Sequence, residues 1–277
     1  MESSNLDQYC VFGNPIAHSR SPFIHHQFAT LTAQKLNYKA QFVETDGFLA
    51  AIQEFIALGG KGANVTVPFK EQAIIVSDHL TERARLAGAV NTITIKNGEI
   101  YGDNTDGEGL VQDLLRHNIN LKNSRILLLG AGGAAKGVIL PLLAQNPESI
   151  MVANRTLNKA QALCQQFNNN KLSSCELSTP SRVSFDLIIN ATSASLSGKV
   201  PTLSKSVIAE RTVCYDMVYS KDMTPFLIWA KSNGAIQVLD GLGMLVGQAA
   251  ESFKLWRGVE PDVSSVIKAL KRSLEAE

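Results

Sequence analysis

The chain has 277 residues, 45% of them hydrophobic, which exceeds the usual single-domain size and can supply more than one core. Its 26 basic and 25 acidic residues leave a net charge of +1 without a long run of either sign, excluding the uniform phosphate attraction of a nucleic-acid binder and favouring small-molecule partners. The start, MESSNLDQY, lacks the basic and apolar parts of a signal peptide, and no stretch reaches the ~20 apolar residues of a membrane span, so a cytoplasmic protein with no membrane contact is expected.

Short apolar runs alternate with helix-length segments from the outset. Tyr9 to Phe12 reads as a strand followed by a helix over 22–36, Lys39 to Val43 by a helix over 47–58, and Ala63 to Val67 by a helix over 68–76. This rhythm predicts βαβ units and parallel strands. Val90 to Ile95 and Glu99 to Tyr101 flank Asn97-Gly98, a pair that supplies the positive φ angles of a tight hairpin turn. A helix over 106–117 then leads into a second series. Its strands are Arg125 to Leu129, Ser149 to Ala153, Phe185 to Asn190 and Thr212 to Tyr215, and its helices cover 133–145, 157–167 and 224–232. Asp240 to Ala250 opens a helix rich in small residues, and an amphipathic helix follows over 262–273. Two α/β domains are expected: residues 1–105, to which 240–277 return, and residues 106–239. The cysteines Cys10, Cys164, Cys175 and Cys214 are scattered without a CxxC pair, against both a disulfide framework and a zinc site. Cys10 and Cys214 lie in apolar runs and read as buried thiols.

Directly after the strand ending at Leu129 comes Gly130-Ala131-Gly132-Gly133-Ala134-Ala135 and then a helix, the context in which glycines bind a dinucleotide. Gly130 permits the tight turn, Gly132 lets backbone approach a pyrophosphate, and Ala135 packs helix on strand. Free N–H groups at the helix start suit phosphate. The next strand ends in Asn154-Arg155-Thr156, where an acidic residue would mark NAD. Arg155 instead suits adenine and a 2′-phosphate, Thr156 offers a hydroxyl, and Lys159 adds charge one turn on, so NADP is preferred.

The first domain gathers polar residues at the ends of its strands. Ser19 and Ser21 lie between a strand and a helix, where each either caps the helix or holds a carboxylate, or does both. Thr66 and Lys70 follow a strand in NVTVPFK, at the edge where open α/β sheets bind ligands. Asn91 opens the hairpin, and Asp106 follows its return strand, where it caps a helix or faces the pocket. An amide, a carboxylate and an ammonium together bind vicinal hydroxyls and supply proton transfer to a carbonyl oxygen.

The runs GNPIAHSRSPFIH, GANVTVPFK, LAGAVNT, GDNTDG, GAGGAA, NRT, INATS, YDMVY with TPFL, and DGLGMLVGQAA occur in the order and spacing of one family. Over nearly its whole length the chain resembles shikimate dehydrogenase. The resemblance implies an α/β protein of two domains, an N-terminal substrate domain with a mixed sheet and a Rossmann-like NADP-binding domain, with the active site in the cleft between them. It implies the reversible NADPH-dependent reduction of 3-dehydroshikimate to shikimate in aromatic amino-acid biosynthesis, by a monomer or homodimer. Lys70 takes the catalytic-lysine position and Asp106 its partner. Ser19 and Ser21 match the carboxylate contacts, and Thr66, Asn91, Asp106 and Gln248 match contacts to ring hydroxyls. Tyr219 matches a further substrate contact, Met217 and Gly241 border the nicotinamide, and Glu82 is counted with the cofactor site. Ser195 departs from the pattern, since many members place a glycine there. His18 and His25 lie in matched motifs and read as packing or hydrogen-bonding histidines. A broader quinate/shikimate dehydrogenase using NAD is disfavoured by the missing acidic residue near Arg155, and a non-catalytic relative by the presence of both Lys70 and Asp106.

Overall fold

In the first strand, β1 (Asp7–Gly13), successive residues Tyr9 to Phe12 are all buried although their side chains alternate between faces. A strand covered on both sides belongs inside a layered α/β arrangement. The structure, a computed structural model, describes residues 6–178 and 184–276. After β1 come α1 (Ser21–Leu31), β2 (Leu36–Phe42), α2 (Phe48–Ala57), β3 (Gly60–Val65), α3 (Gln72–Ile75), β4 (His79–Leu80), α4 (Glu82–Ala87), β5 (Thr92–Lys96), β6 (Glu99–Asp103) and α5 (Asp106–Arg116). The chain continues through β7 (Arg125–Leu129), α6 (Gly133–Ala144), β8 (Ser149–Asn154), α7 (Leu157–Phe167), β9 (Leu172–Glu176), β10 (Leu187–Asn190), β11 (Val213–Asp216), α8 (Pro225–Ser232) and β12 (Gln237–Leu239). It closes with α9 (Leu242–Arg257) and α10 (Val263–Ala276). Two units result, Met1–Gly109 with Val246–Glu277, and Leu110–Leu245, so the chain passes from one to the other within α5 and within α9.

The first unit is built on a mixed sheet in the order β2-β1-β3-β5-β6-β4. Its first three strands are parallel, whereas β5 runs antiparallel to both β3 and β6. The hairpin turn is the Asn97-Gly98 pair, with φ of 53° and 84°. On one face Cys10 and Phe12 pack with Phe48, Ile52 and Val65. On the other, Tyr9 stacks on Trp256 of α9 and Phe28 meets Phe253.

The second unit holds a parallel sheet in the order β9-β8-β7-β10-β11-β12. Counted from β7 this is the dinucleotide-binding order, which reverses between β7 and β10 and opens a crevice at their carboxyl ends. The strands are apolar on both faces: Ile126 and Leu128 join one buried cluster, Leu127 and Leu129 the other. Cys10 and Cys214 are buried free thiols, and burial pushes the Cys214 thiol up to about 12. Among the described residues, no helix is long and apolar enough to cross a membrane.

Three strands escape the periodicity argument. β4 and β12 are very short, β9 reads Leu-Ser-Ser-Cys-Glu without an apolar alternation, and each occupies a sheet edge. The helix expected over 68–76 shrinks to α3, because Pro68 disfavours helix at Val67 and the chain turns tightly there, with Phe69 N–H donating to Thr66 O at 3.0 Å.

Candidate active site

The chain leaves β3 at Val65, and the turn that follows is pinned by Phe69, fully buried and stacked on Phe48 with ring centres 5.2 Å apart. The Lys70 carbonyl accepts from Val90 N–H at 2.9 Å, tying this turn to the residue before Asn91. Asn91 N–H in turn donates to Asp103 O at 3.0 Å, drawing in the segment that ends β6. Three stretches distant in sequence thereby present three side chains together. Lys70 Nζ donates to Asp106 Oδ2 at 2.5 Å, and Asn91 Nδ2 donates to Asp106 Oδ1 at 2.7 Å and to Gln248 Oε1 at 3.4 Å. The Lys70 and Asp106 side chains keep 29% and 19% of their surface exposed, so the pair is shielded yet reachable. Asp106 begins α5, and its carboxylate serves this cluster.

Beneath the pair lies a layer of buried polar groups, of which sequence reasoning had singled out Asn91 and His25 but not Asn64, Thr92, Thr105 or Ser252. Asn91 Oδ1 accepts from Thr105 N–H at 2.8 Å and from the Thr92 hydroxyl at 2.8 Å, which fixes the amide's orientation. Asn64 donates to Asn91 O at 3.1 Å and to Ser252 Oγ at 3.0 Å, and accepts from the Tyr38 hydroxyl at 2.7 Å. His25 Nε2 lies 3.2 Å from the same Asn64 Oδ1 while its ring stacks on Tyr38 at 4.1 Å. Burial pushes the His25 pKa down to about 3, so the ring is neutral, and its Nδ1 has no hydrogen-bond partner among the described residues. His25 is thus a packing and hydrogen-bonding histidine, whereas His18 is exposed. Alongside, Arg83 grips Asp103 through two bonds of 2.7 Å. Burial opposes the charge on Asp103, but Arg83 and Thr81 outweigh it and hold the carboxyl below its ordinary range.

The other expected substrate contacts come from separate elements. Ser21 starts α1 without capping it, its N–H donating to Ser19 Oγ at 3.3 Å. Thr66 is half-buried, with its N–H on Phe12 O at 2.9 Å. Tyr219 lies in the second unit, half-buried beyond β11. Glu82 stands exposed in the first turn of α4, where a carboxylate complements the helix dipole.

That cavity, of about 710 Å³, opens at the switch point of the parallel sheet. Gly130 turns the chain with φ of +107°, and a Cβ there would also press on Ala191 O at 3.2 Å, so only glycine suits the position. At Gly132 and Gly133, by contrast, a Cβ would meet nothing within 4 Å, leaving the backbone at the start of α6 open to a ligand. Arg155 and Asn154 line the cavity from the end of β8, while Thr156 and Lys159 lie exposed at the start of α7 and do not line it. The opposite wall is Ala191–Ala194, Ser197 and Lys199–Thr202, of which the sequence had drawn attention only to Ala191, Thr192 and Ser193, within the INATS run. No carboxylate is among the described residues that line the space, and their donors are cations, hydroxyls and open backbone, which fits a 2′-phosphorylated dinucleotide. Ser195 has a use for its hydroxyl, which donates to Asp216 Oδ2 at 2.6 Å. Asp216 is fully buried, and Thr224 and Asn190 also donate to it, at 2.6 and 3.1 Å. Next to it, Gly241 comes so near Met217 O that a Cβ would lie 2.1 Å away.

Family models for the shikimate dehydrogenase substrate-binding domain, for shikimate/quinate 5-dehydrogenase and for the shikimate 5′-dehydrogenase C-terminal domain match residues 11–93, 111–215 and 241–271. The chain belongs to the shikimate dehydrogenase family. A shikimate dehydrogenase (NADP(+)) of Colwellia psychrerythraea is 60% identical over 275 residues, 99% of this chain and 100% of the relative. Among solved structures, an Ael1 enzyme from Pseudomonas putida is 42% identical with a TM-score of 0.93, covering 95% of this chain and 98% of its own. The shikimate dehydrogenase of Thermus thermophilus, solved with NADP(H) and shikimate, is 32% identical with a TM-score of 0.86 over 97% of this chain and 100% of its own. Within this family frame, the mixed sheet belongs to the substrate-binding part and the parallel sheet to the dehydrogenase part.

Proposed function

We propose that Lys70 and Asp106 handle charge and proton at the reacting oxygen of a shikimate dehydrogenase, which interconverts 3-dehydroshikimate and shikimate. The chain is an NADP-dependent oxidoreductase acting on a CH–OH group. The observation that carries the residue assignment is the 2.5 Å contact between Lys70 Nζ and Asp106 Oδ2, with Asn91 on the other carboxylate oxygen. When bound, the dinucleotide supplies the hydride. The Lys70 ammonium offsets the negative charge that grows on the carbonyl oxygen and delivers a proton to it, and Asp106 holds that ammonium in place. Asn91 and Gln248 offer an amide pair to neighbouring ring hydroxyls, joined in this reading by Thr66, while Ser19 and Ser21 receive the substrate carboxylate and Tyr219 makes a further contact. Gly130 to Ala134 take the pyrophosphate, Asn154, Arg155, Thr156 and Lys159 the adenosine 2′-phosphate, and Met217 and Gly241 border the nicotinamide. A cytoplasmic place in aromatic amino-acid biosynthesis, as monomer or homodimer, completes the reading, and the free thiols Cys10 and Cys214 suit a reducing compartment.

Replacing Lys70 with alanine tests the assignment. General acid help is worth about 10²–10⁴ in rate, so kcat for shikimate oxidation with NADP⁺ should fall by about that factor while KM for shikimate moves little. A variant with near-full turnover removes Lys70 from the chemistry.

A further inference from the structure

NADP carries three phosphate groups, yet among the described residues the strand ends of the cavity bring only one full charge to its wall, that of Arg155. The glycine turn contributes backbone alone. A second cation, Lys199, lies on the opposite wall and comes from no strand end and no glycine motif. We infer that Lys199 is a second cationic anchor for the phosphates of the dinucleotide, carried by the loop after β10, an inference that rests on reading this cavity as the NADP site.

The loop is built to hold that lysine. Ser195 begins a short 3₁₀ turn, Ser195–Ser197, and its hydroxyl is tied to buried Asp216 at 2.6 Å. Gly198 then reverses the chain with φ of +69°, and Lys199 N–H donates back to Ala194 O at 3.0 Å. The backbone of Lys199 is therefore fixed on a closed turn, although its side chain is exposed. A compact ammonium on a long stem meets phosphate as a point charge and does not require the planar registration that Arg155 needs. Among the described residues of the lining, no carboxylate competes for the ammonium.

The test is a titration of the full chain with NADPH and with NADH, at low and moderate salt, in the wild type and in Lys199→Gln, Lys199→Arg and Arg155→Gln. Lys199→Gln should raise Kd for NADPH by about fivefold or more and flatten its salt dependence, while Lys199→Arg stays near wild type. The loss should fall on Kd and KM for NADPH rather than on kcat. NADH weakened equally puts the contact at the diphosphate, and NADPH weakened alone puts it at the 2′-phosphate; both support the inference. Unchanged affinity for both nucleotides in Lys199→Gln, alongside a weakened Arg155→Gln, overturns the role of Lys199 and leaves the cavity assignment intact. A wild-type chain that binds neither nucleotide overturns the cavity assignment and this inference with it.

Discussion

Asp106 divides its two oxygens between unlike partners, an ammonium and an amide, at 2.5 and 2.7 Å. An asparagine there keeps the size and one acceptor but loses the charge that holds Lys70. Asp106→Asn should therefore lower kcat by about 10²-fold or more, with a smaller effect on KM for shikimate. An unchanged kcat would confine Asp106 to binding. At the other end of the reaction, Arg155 is the cation that the strand end offers to a 2′-phosphate. Arg155→Asp inverts that charge and supplies the acid a ribose diol prefers, so KM for NADPH should rise far more than KM for NADH. Equal effects on both would refute the 2′-phosphate contact. These residues were legible because each closely follows a strand and sits in a recognisable run. Asn64, Thr105 and Ser252 were not, since a buried hydrogen-bond layer leaves no mark in residue type or spacing and emerges only when β3, the hairpin and α9 are folded together.

At the scale of elements, periodicity found what is long and apolar. β7 spans Arg125–Leu129 and α7 Leu157–Phe167, the ranges that the sequence pattern predicts, because both are bounded by sharp changes of composition. The pattern failed at β9, whose polar side chains need bury nothing at a sheet edge, and at α3, where a proline turn takes the place of a helical turn. It also left open how the loop after β10 would behave with serine at position 195. The structure answers with the bond from Ser195 to Asp216, which a glycine at that position could not make. A hydrogen bond to a buried carboxylate is worth about 1.5–3 kcal/mol, so Ser195→Ala should loosen the loop, not the sheet. Amide exchange over 194–199 should quicken and KM for NADPH should rise, with β7 and β10 protected as before. Unaltered exchange in that loop would show that the bond does not hold it.

For the molecule as a whole, sensitivity to acid is built into a residue that sees no water. His25 is fully buried among Tyr38, Phe253 and Trp256. Its pKa falls from 6.5 in an unfolded chain to about 3 in the fold, chiefly through burial. Between those values the unfolded state binds a proton that the folded state refuses, so the stability this neutral ring contributes is fully present above pH 6.5 and drains away as pH falls toward 3. One proton is worth about 1.4 kcal/mol per pH unit. Asp113 acts in the opposite sense: burial raises its pKa, so its folded form favours protonation and gains relative stability as acid is added. Isolating His25 therefore requires comparing slopes, not absolute stabilities. Urea unfolding followed by Trp256 fluorescence, in a Trp229→Phe background, should lose stability with falling pH more steeply when His25 is present than in His25→Phe. Over pH 6 to 4 the difference should be about 1 kcal/mol per pH unit, whatever the phenylalanine costs at neutral pH through its lost bond to Asn64. Parallel slopes would mean that protonated His25 is tolerated inside the fold, and that the acid sensitivity lies elsewhere.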